Sequence, residues 1–156
     1  MKEGTVALTA STLENVTLNV THETRVRASL DATFEALLEQ MGPANETPDG
    51  TPLPMTIEAR PGGRWFRDLG KDNGHFWGQV QAIKRPTLLE ITGPLFMSAP
   101  VISNVQYRLT AIDGGTLLAF RHSAFGPVPE EFREGLSRGW TSLIERIRNH
   151  AEKGKR

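Results

Sequence analysis

The feature that most constrains the fold is a long amphipathic segment near the end of the chain, from about Glu130 to His150. Apolar side chains recur there every three or four positions and would cover an arc of about 120° on a helix. These side chains are Phe132, Leu136, Trp140, Leu143, Ile144 and Ile147. Pro129 suits the start of a helix. The pattern predicts a helix about 30 Å long, and its apolar face needs a surface to pack against.

The segments before this helix are dominated by the two-residue alternation of half-buried strands. Thr17–Arg27 alternates in this way, and Ser29 then caps a predicted helix over Leu30–Met41. Further alternating segments are Met55–Ala59, Arg64–Leu69, His75–Lys84, Thr87–Thr92, Ser103–Ala111 and Thr116–Ala124. The polar link Lys71–Gly74 predicts a hairpin turn, since Asn-Gly tolerates positive φ.

Strands joined by tight turns pair antiparallel, and only the last helix is long enough to cover their apolar face. The sequence therefore predicts the α+β class, with a curved antiparallel β-sheet wrapped around a long C-terminal α-helix. We expect one domain over residues 1–156, with its core at about residues 15–150. The first ten to fourteen residues show only weak periodicity.

Composition excludes several kinds of site. Eighteen Lys and Arg balance eighteen Asp and Glu, so no basic excess favours nucleic acid as a partner. The chain has no cysteine, which removes disulfides and thiolate metal sites. It has no apolar run of signal-peptide or membrane-spanning length, so we expect no membrane association and a cytoplasmic location.

Two loops interrupt the pattern. Pro43–Pro54 contains four prolines, and we interpret it as a spacer, with a lid as the alternative. Gly93–Pro100 is unusual because it is apolar, and it carries Phe96 and Met97. Side chains of this kind in a loop favour contact with a ligand over burial in the main core.

Aromatic side chains are the main candidates for a binding site, since small-molecule pockets are mostly apolar with a few polar groups. With one methionine and one histidine, the candidate ligand-binding residues are Trp65, Phe76, Trp77, Phe96, Met97, Tyr107, Phe120, His122 and Trp140. Plain core packing is the alternative for most of them.

The direction of Trp77 stays open at this point. Strict alternation places Trp77 on the outer face of the sheet, where it would mark a dimer contact. A bulge at Gly78 would turn it inward.

Two glycines in the last helix, Gly135 and Gly139, also need a reason, which is either close approach to a strand or space for a ligand.

His122 shares the inward strand face with Phe120. A histidine there is either a hydrogen-bonded core residue or a polar contact or general base for a ligand. The histidines show no metal-binding spacing, and the chain has no phosphate-loop or nucleophile-elbow motif, so we assign no metal, cofactor or catalytic residue.

Several short motifs resemble one protein family. In chain order they are Glu58–Trp65 (EARPGGRW), His75–Val80 (HFWGQV), Arg85-Pro86, Leu88–Pro94 (LLEITGP), Gly115–His122 (GTLLAFRH) and Gly139-Trp140. Over roughly Thr17–His150 the chain resembles the START-like, or SRPBCC, superfamily, in the branch related to the activator of the heat-shock-protein-90 ATPase. The resemblance implies a helix-grip fold with a cavity between sheet and last helix. It transfers no catalytic residue.

Three functions follow as hypotheses. The first is a domain that binds an apolar or amphipathic small molecule between the sheet and the last helix. The second is a chaperone-linked or self-associating interaction module with a filled interior and an apolar outer patch near Trp77, which leaves a homodimer open. The third is a cyclase- or hydrolase-like enzyme that uses the same cavity. A cavity of about 300 Å³ or more, opening near the two loops, would favour the first.

Overall fold

The structure is a computed structural model that describes Gly4 and residues 12–154. Its elements in chain order are α1 (Leu13–Val16), β1 (Thr17–Val26), α2 (Leu30–Met41), β2 (Thr56–Ile57), β3 (Arg64–Gly70), β4 (Asn73–Lys84), β5 (Leu88–Gly93), β6 (Ile102–Ile112), β7 (Gly115–Phe125) and α3 (Glu130–Lys153). Helix α1 lies at the end of the weakly periodic first segment. Residues 1–3 and 5–11 of that segment lie outside the described part.

The strands form one seven-stranded antiparallel sheet in the order β1-β7-β6-β5-β4-β3-β2. Neighbours in the chain are neighbours in the sheet from β2 to β7, and β1 joins the far side of β7. Helix α3 packs against α2 and β1. The predicted α+β architecture, an open antiparallel sheet around a long C-terminal helix, is confirmed.

Strands β6 and β7 show why the alternation predicts this packing. Their register is continuous from Ile102–Phe125 to Ile112–Gly115, so inward residues of one strand face inward residues of the other. The buried positions are Ser103, Val105, Tyr107 and Leu109 of β6, and Thr116, Leu118, Phe120, His122 and Ala124 of β7. The outward positions between them are more exposed.

Local signals also fix the ends of two elements. Ser29 caps α2 as predicted, because its Oγ accepts a hydrogen bond from the Ala32 N–H at 3.1 Å. The hairpin between β3 and β4 differs from the prediction. Its turn is Lys71-Asp72, both with positive φ (53° and 59°), and Asn73 already belongs to β4. A two-residue turn with both φ angles positive matches the twist of the flanking strands.

Candidate functional site

A cleft lies between one flank of α3 and the loop that follows α2. Its volume is about 340 Å³, close to the lower end of the range of small-molecule pockets. The loop contributes Asn45–Pro48 and Leu53. Backbone hydrogen bonds from Leu53 N–H to Asn45 O (2.8 Å) and from Met55 N–H to Gly42 O (3.0 Å) hold the two ends of the loop together. Pro43–Pro54 therefore forms a wall of the cleft.

Helix α3 lines the cleft with residues three or four positions apart. They are Glu131, Phe132, Gly135, Leu136, Gly139, Trp140, Leu143 and Arg146. Gly135 and Gly139 lie in the middle of this flank, and a Cβ atom added to either would meet no heavy atom within 4 Å. Close approach to a strand therefore does not explain these glycines. They keep the cleft open along the helix.

Aromatic rings form the opposite wall. Trp65 of β3 contacts Trp77 of β4 edge-on, with ring centroids 5.0 Å apart. Trp77 contacts Phe96 of the apolar loop at 5.7 Å, and Phe96 contacts Phe132 of α3 at 5.3 Å. This row of rings joins sheet, loop and helix. Four of the nine predicted binding residues line the cleft: Trp65, Trp77, Phe96 and Trp140.

A β-bulge turns Trp77 toward the cleft. On β3 the consecutive residues Trp65 and Phe66 pair with Gly78 and Phe76, so Trp77 is an extra residue on β4. At Gly78 an added Cβ would lie 2.7 Å from the Thr92 carbonyl oxygen, which only glycine avoids. The inward alternative for Trp77 is the one found, and its indole N–H donates to His75 Nδ1 at 2.9 Å.

Phe76 points the other way and corrects the prediction that it lines the cavity. Its side chain is 44% exposed, and it lies in a shallow surface pocket beside the β3–β4 hairpin. The bulge that brings Trp77 inward leaves Phe76 on the outer face, opposite Phe66.

Three other predicted residues lie in the core and do not line the cleft. Met97 is buried because the apolar loop folds back, so that Phe96 faces the cleft while Met97 packs inward. Tyr107 and Phe120 pack in a row beneath Trp140, with successive ring centroids 5.1 and 4.8 Å apart. For these residues the core-packing alternative describes their position.

His122 is fully buried and hydrogen-bonded on both sides. The Trp140 indole N–H donates to Nδ1 at 3.0 Å, and Nε2 lies 2.9 Å from Ser103 Oγ. Because Nδ1 accepts, Nε2 carries the proton and donates to Ser103, so the imidazole is not poised to take a proton from that hydroxyl. Burial lowers the pKa of His122 to about 4. The ring supports Trp140 from behind and does not line the cleft.

Arg146 forms the polar end of the cleft, and sequence reasoning missed it. Its Nη1 donates to Gln40 Oε1 at 3.1 Å, and its Nη2 donates to the Glu46 carbonyl oxygen at 3.0 Å. Burial lowers the pKa of this guanidinium. The signal was present in the sequence, since Arg146 lies seven positions after Gly139, two helical turns along the same flank.

The described residues offer neither a metal site nor a membrane-spanning helix. Across Gly4 and residues 12–154, no group of three or more His, Asp or Glu side chains is arranged to hold a metal ion. Within the same ranges, no helix combines the length and apolarity needed to cross a membrane.

Solved structures share this architecture at low sequence identity. Protein MLL2253 from Mesorhizobium loti matches with a TM-score of 0.68 and 18% identity, over 89% of this chain and 100% of its own. Protein CV1439 from Chromobacterium violaceum matches with a TM-score of 0.69 and 14% identity, over 86% and 96%. The di-domain ARO/CYC StfQ from the steffimycin biosynthetic pathway matches with a TM-score of 0.65 and 10% identity, over 91% of this chain and 53% of its own.

The family of the chain follows from its amino-acid sequence. No protein with a curated function matches the chain. The family model described as activator of Hsp90 ATPase homolog 1-like protein matches residues 27–152, which includes the whole cleft and most of the sheet. The chain therefore belongs to the family of activator of Hsp90 ATPase homolog 1-like proteins.

Proposed function

We propose that this domain binds an apolar or amphipathic small molecule in the cleft beside α3. The observation that carries the proposal is the open space over Gly135 and Gly139, which aromatic rings from sheet, loop and helix border. Small-molecule sites combine apolar walls with a few polar groups. Here the polar groups lie at the two ends of the cleft, at Glu131 and at the Glu46–Arg146 pair.

A fluorescent apolar probe tests the proposal. All three tryptophans of the chain, Trp65, Trp77 and Trp140, line the cleft. Excitation of tryptophan should therefore transfer energy to bound N-phenyl-1-naphthylamine, with a saturable dependence on probe concentration. Gly139→Leu should keep the fold and weaken probe binding at least tenfold, because the new side chain would fill the cleft.

Ser137→Leu is the matched control, since it adds the same side chain to an exposed position of α3 outside the cleft. It should leave the probe affinity unchanged. Circular dichroism and the unfolding midpoint of each variant establish that the fold is intact. Equal probe affinity in the wild type and a folded Gly139→Leu variant would contradict the proposal.

The alternatives are less well supported. The module hypothesis expected a filled interior and an outward Trp77, whereas the interior holds a cleft and Trp77 lines it.

A homodimer stays a prediction, and it would most simply bury Ile102 and Phe125, which pair across β6 and β7 and are 66% and 61% exposed. The enzymatic hypothesis also stays a prediction, since StfQ shares only the fold and His122 faces no ligand space. The cytoplasmic location stays a prediction as well.

A further inference from the structure

The wall of the cleft contains three charged side chains, and Arg146 is the most buried of them. Its side chain is 16% exposed, against 39% for Glu46, and Glu131 is exposed at the other end. A cation in an otherwise apolar wall requires anionic or hydrogen-bonding partners, because desolvation is costly for a charge.

The hydrogen bonds of Arg146 do not use all of its donors. A guanidinium has five N–H donors. Its two terminal nitrogens bond to Gln40 and to the Glu46 backbone, but Nε is buried with no hydrogen-bond partner among the described residues. The Glu46 carboxylate lies 3.8 Å from Nε, which is beyond hydrogen-bond distance. The guanidinium is thus fixed in place with part of its donor capacity unused.

Arg146 and Glu46 line both the cleft and a second, polar surface pocket. Gln40, Asn149 and Lys153 also contribute to this second pocket. The partly exposed Glu46 carboxylate is a weak partner, since ion pairs open to solvent contribute little. An oxyanion at hydrogen-bond distance from the guanidinium would form a stronger, charge-assisted bond than the Glu46 carboxylate, whose oxygen lies 3.8 Å from Nε.

We propose that Arg146 recognises an acidic group on the ligand, so that the cleft prefers an apolar molecule with a carboxylate or similar oxyanion over its neutral or cationic analogues. This inference rests on the proposed function. The apolar part of such a ligand lies over Gly135 and Gly139 against the aromatic rings. Its oxyanion reaches Arg146 and displaces the Glu46 carboxylate, while the backbone carbonyl of Glu46 continues to hold the guanidinium.

Three compounds that share one ring system test this preference. They are 2-naphthoate, 2-naphthylmethanol and 2-naphthylmethylammonium, each measured by displacement of N-phenyl-1-naphthylamine. We expect 2-naphthoate to bind about tenfold more tightly than the alcohol, because its carboxylate gains one charge-assisted hydrogen bond with Arg146. The ammonium compound should bind most weakly.

Two substitutions in the charge pair should have opposite effects. Arg146→Met should bring the naphthoate affinity down to that of the alcohol. Glu46→Gln removes the competing carboxylate and keeps the backbone acceptor, so naphthoate should bind a few-fold more tightly and the alcohol unchanged. Arg138→Met is the control, because it removes the same charge from α3 outside the cleft, and it should leave the naphthoate preference intact.

The outcomes separate the two proposals. If the neutral probe binds but the three naphthalene compounds bind equally, or the ammonium compound binds best, the role of Arg146 is overturned and the proposed function stands. If the neutral probe itself does not bind, the proposed function fails. If Arg146→Met lowers the folded fraction, the result for Glu46→Gln tests the inference instead. A naphthoate affinity in Glu46→Gln that is lower than in the wild type, or equal to it, overturns the inference.

Discussion

Two titratable residues show how hydrogen-bond partners decide the role of a buried polar group. The inward position of His122 fitted either a core residue or a ligand contact, and Trp140 and Ser103 occupy both ring nitrogens, as in a core residue. Arg146 was not among the predicted site residues, yet it is largely buried and its Nε has no hydrogen-bond partner. Both ring nitrogens of His122 are bonded and the ring holds Trp140 in the wall, whereas Arg146 keeps one N–H donor without a hydrogen-bond partner.

The lowered pKa of His122 predicts how stability depends on pH. The folded-state pKa is about 4 against 6.5 for the free group, so between these values the unfolded chain binds more protons and acid favours unfolding. The stabilisation is fully present above about pH 6.5 and is lost as the pH falls toward about 4, where the total loss is about 3 kcal/mol. Urea unfolding at a series of pH values across this window measures it.

His122→Gln supplies the comparison, since glutamine accepts and donates hydrogen bonds but does not titrate. Its free energy of unfolding should fall less steeply with acid than that of the wild type, and the difference between the two curves isolates His122 from the other titrating groups. Parallel curves from pH 7 to pH 4 would show that His122 is protonated without penalty in the folded state.

At the scale of one element, two internal glycines make α3 less stable than a helix of the same length without them. Each glycine inside a helix lowers stability by about 1 kcal/mol relative to alanine. Gly135 and Gly139 have room for a Cβ atom on all sides, so packing does not require them. The helix gives up stability where the cleft needs space, a compromise that is common at functional sites.

Gly135→Ala should therefore stabilise the protein by about 0.5–1 kcal/mol. The methyl group would narrow the cleft slightly, so the affinity for N-phenyl-1-naphthylamine should change far less than in Gly139→Leu. Chemical denaturation measures the stability, and Ser137→Ala on the exposed face calibrates helix propensity alone. A less stable Gly135→Ala variant would mean that a strand or loop approaches this position closely after all.

The elements that the sequence predicted well are those set by local periodicity. The ends of β6, β7 and α3 fall within a few residues of the predicted ones, because alternation and helical spacing are properties of neighbouring residues. The direction of Trp77 depends on which residue of β3 faces Gly78, and that register is set between strands. The same holds for Phe76, whose outward position follows from the bulge.

At the scale of the whole molecule, the cleft joins parts of the chain that are far apart in sequence. Arg146 holds the backbone of Glu46, one hundred residues earlier, and the Trp65 indole N–H donates to the Met41 carbonyl oxygen at 2.8 Å. Only the packed fold brings the loop, sheet and helix together. The sequence could therefore indicate aromatic candidates and the apolar loop Gly93–Pro100, but not that Pro43–Pro54 and Arg146 share a cleft with them.

Because its walls come from the loop, the sheet and α3, the cleft exists only in the folded domain, and a ligand should stabilise the domain as a unit. N-phenyl-1-naphthylamine at about ten times its Kd should add about 1.4 kcal/mol to the free energy of unfolding. That corresponds to a rise of about 3–5 °C in Tm for a domain of this size. Thermal unfolding followed by circular dichroism, with and without the probe, should show a single transition that moves upward. Gly139→Leu should show no such rise, and an equal rise in that variant would place the probe elsewhere on the molecule.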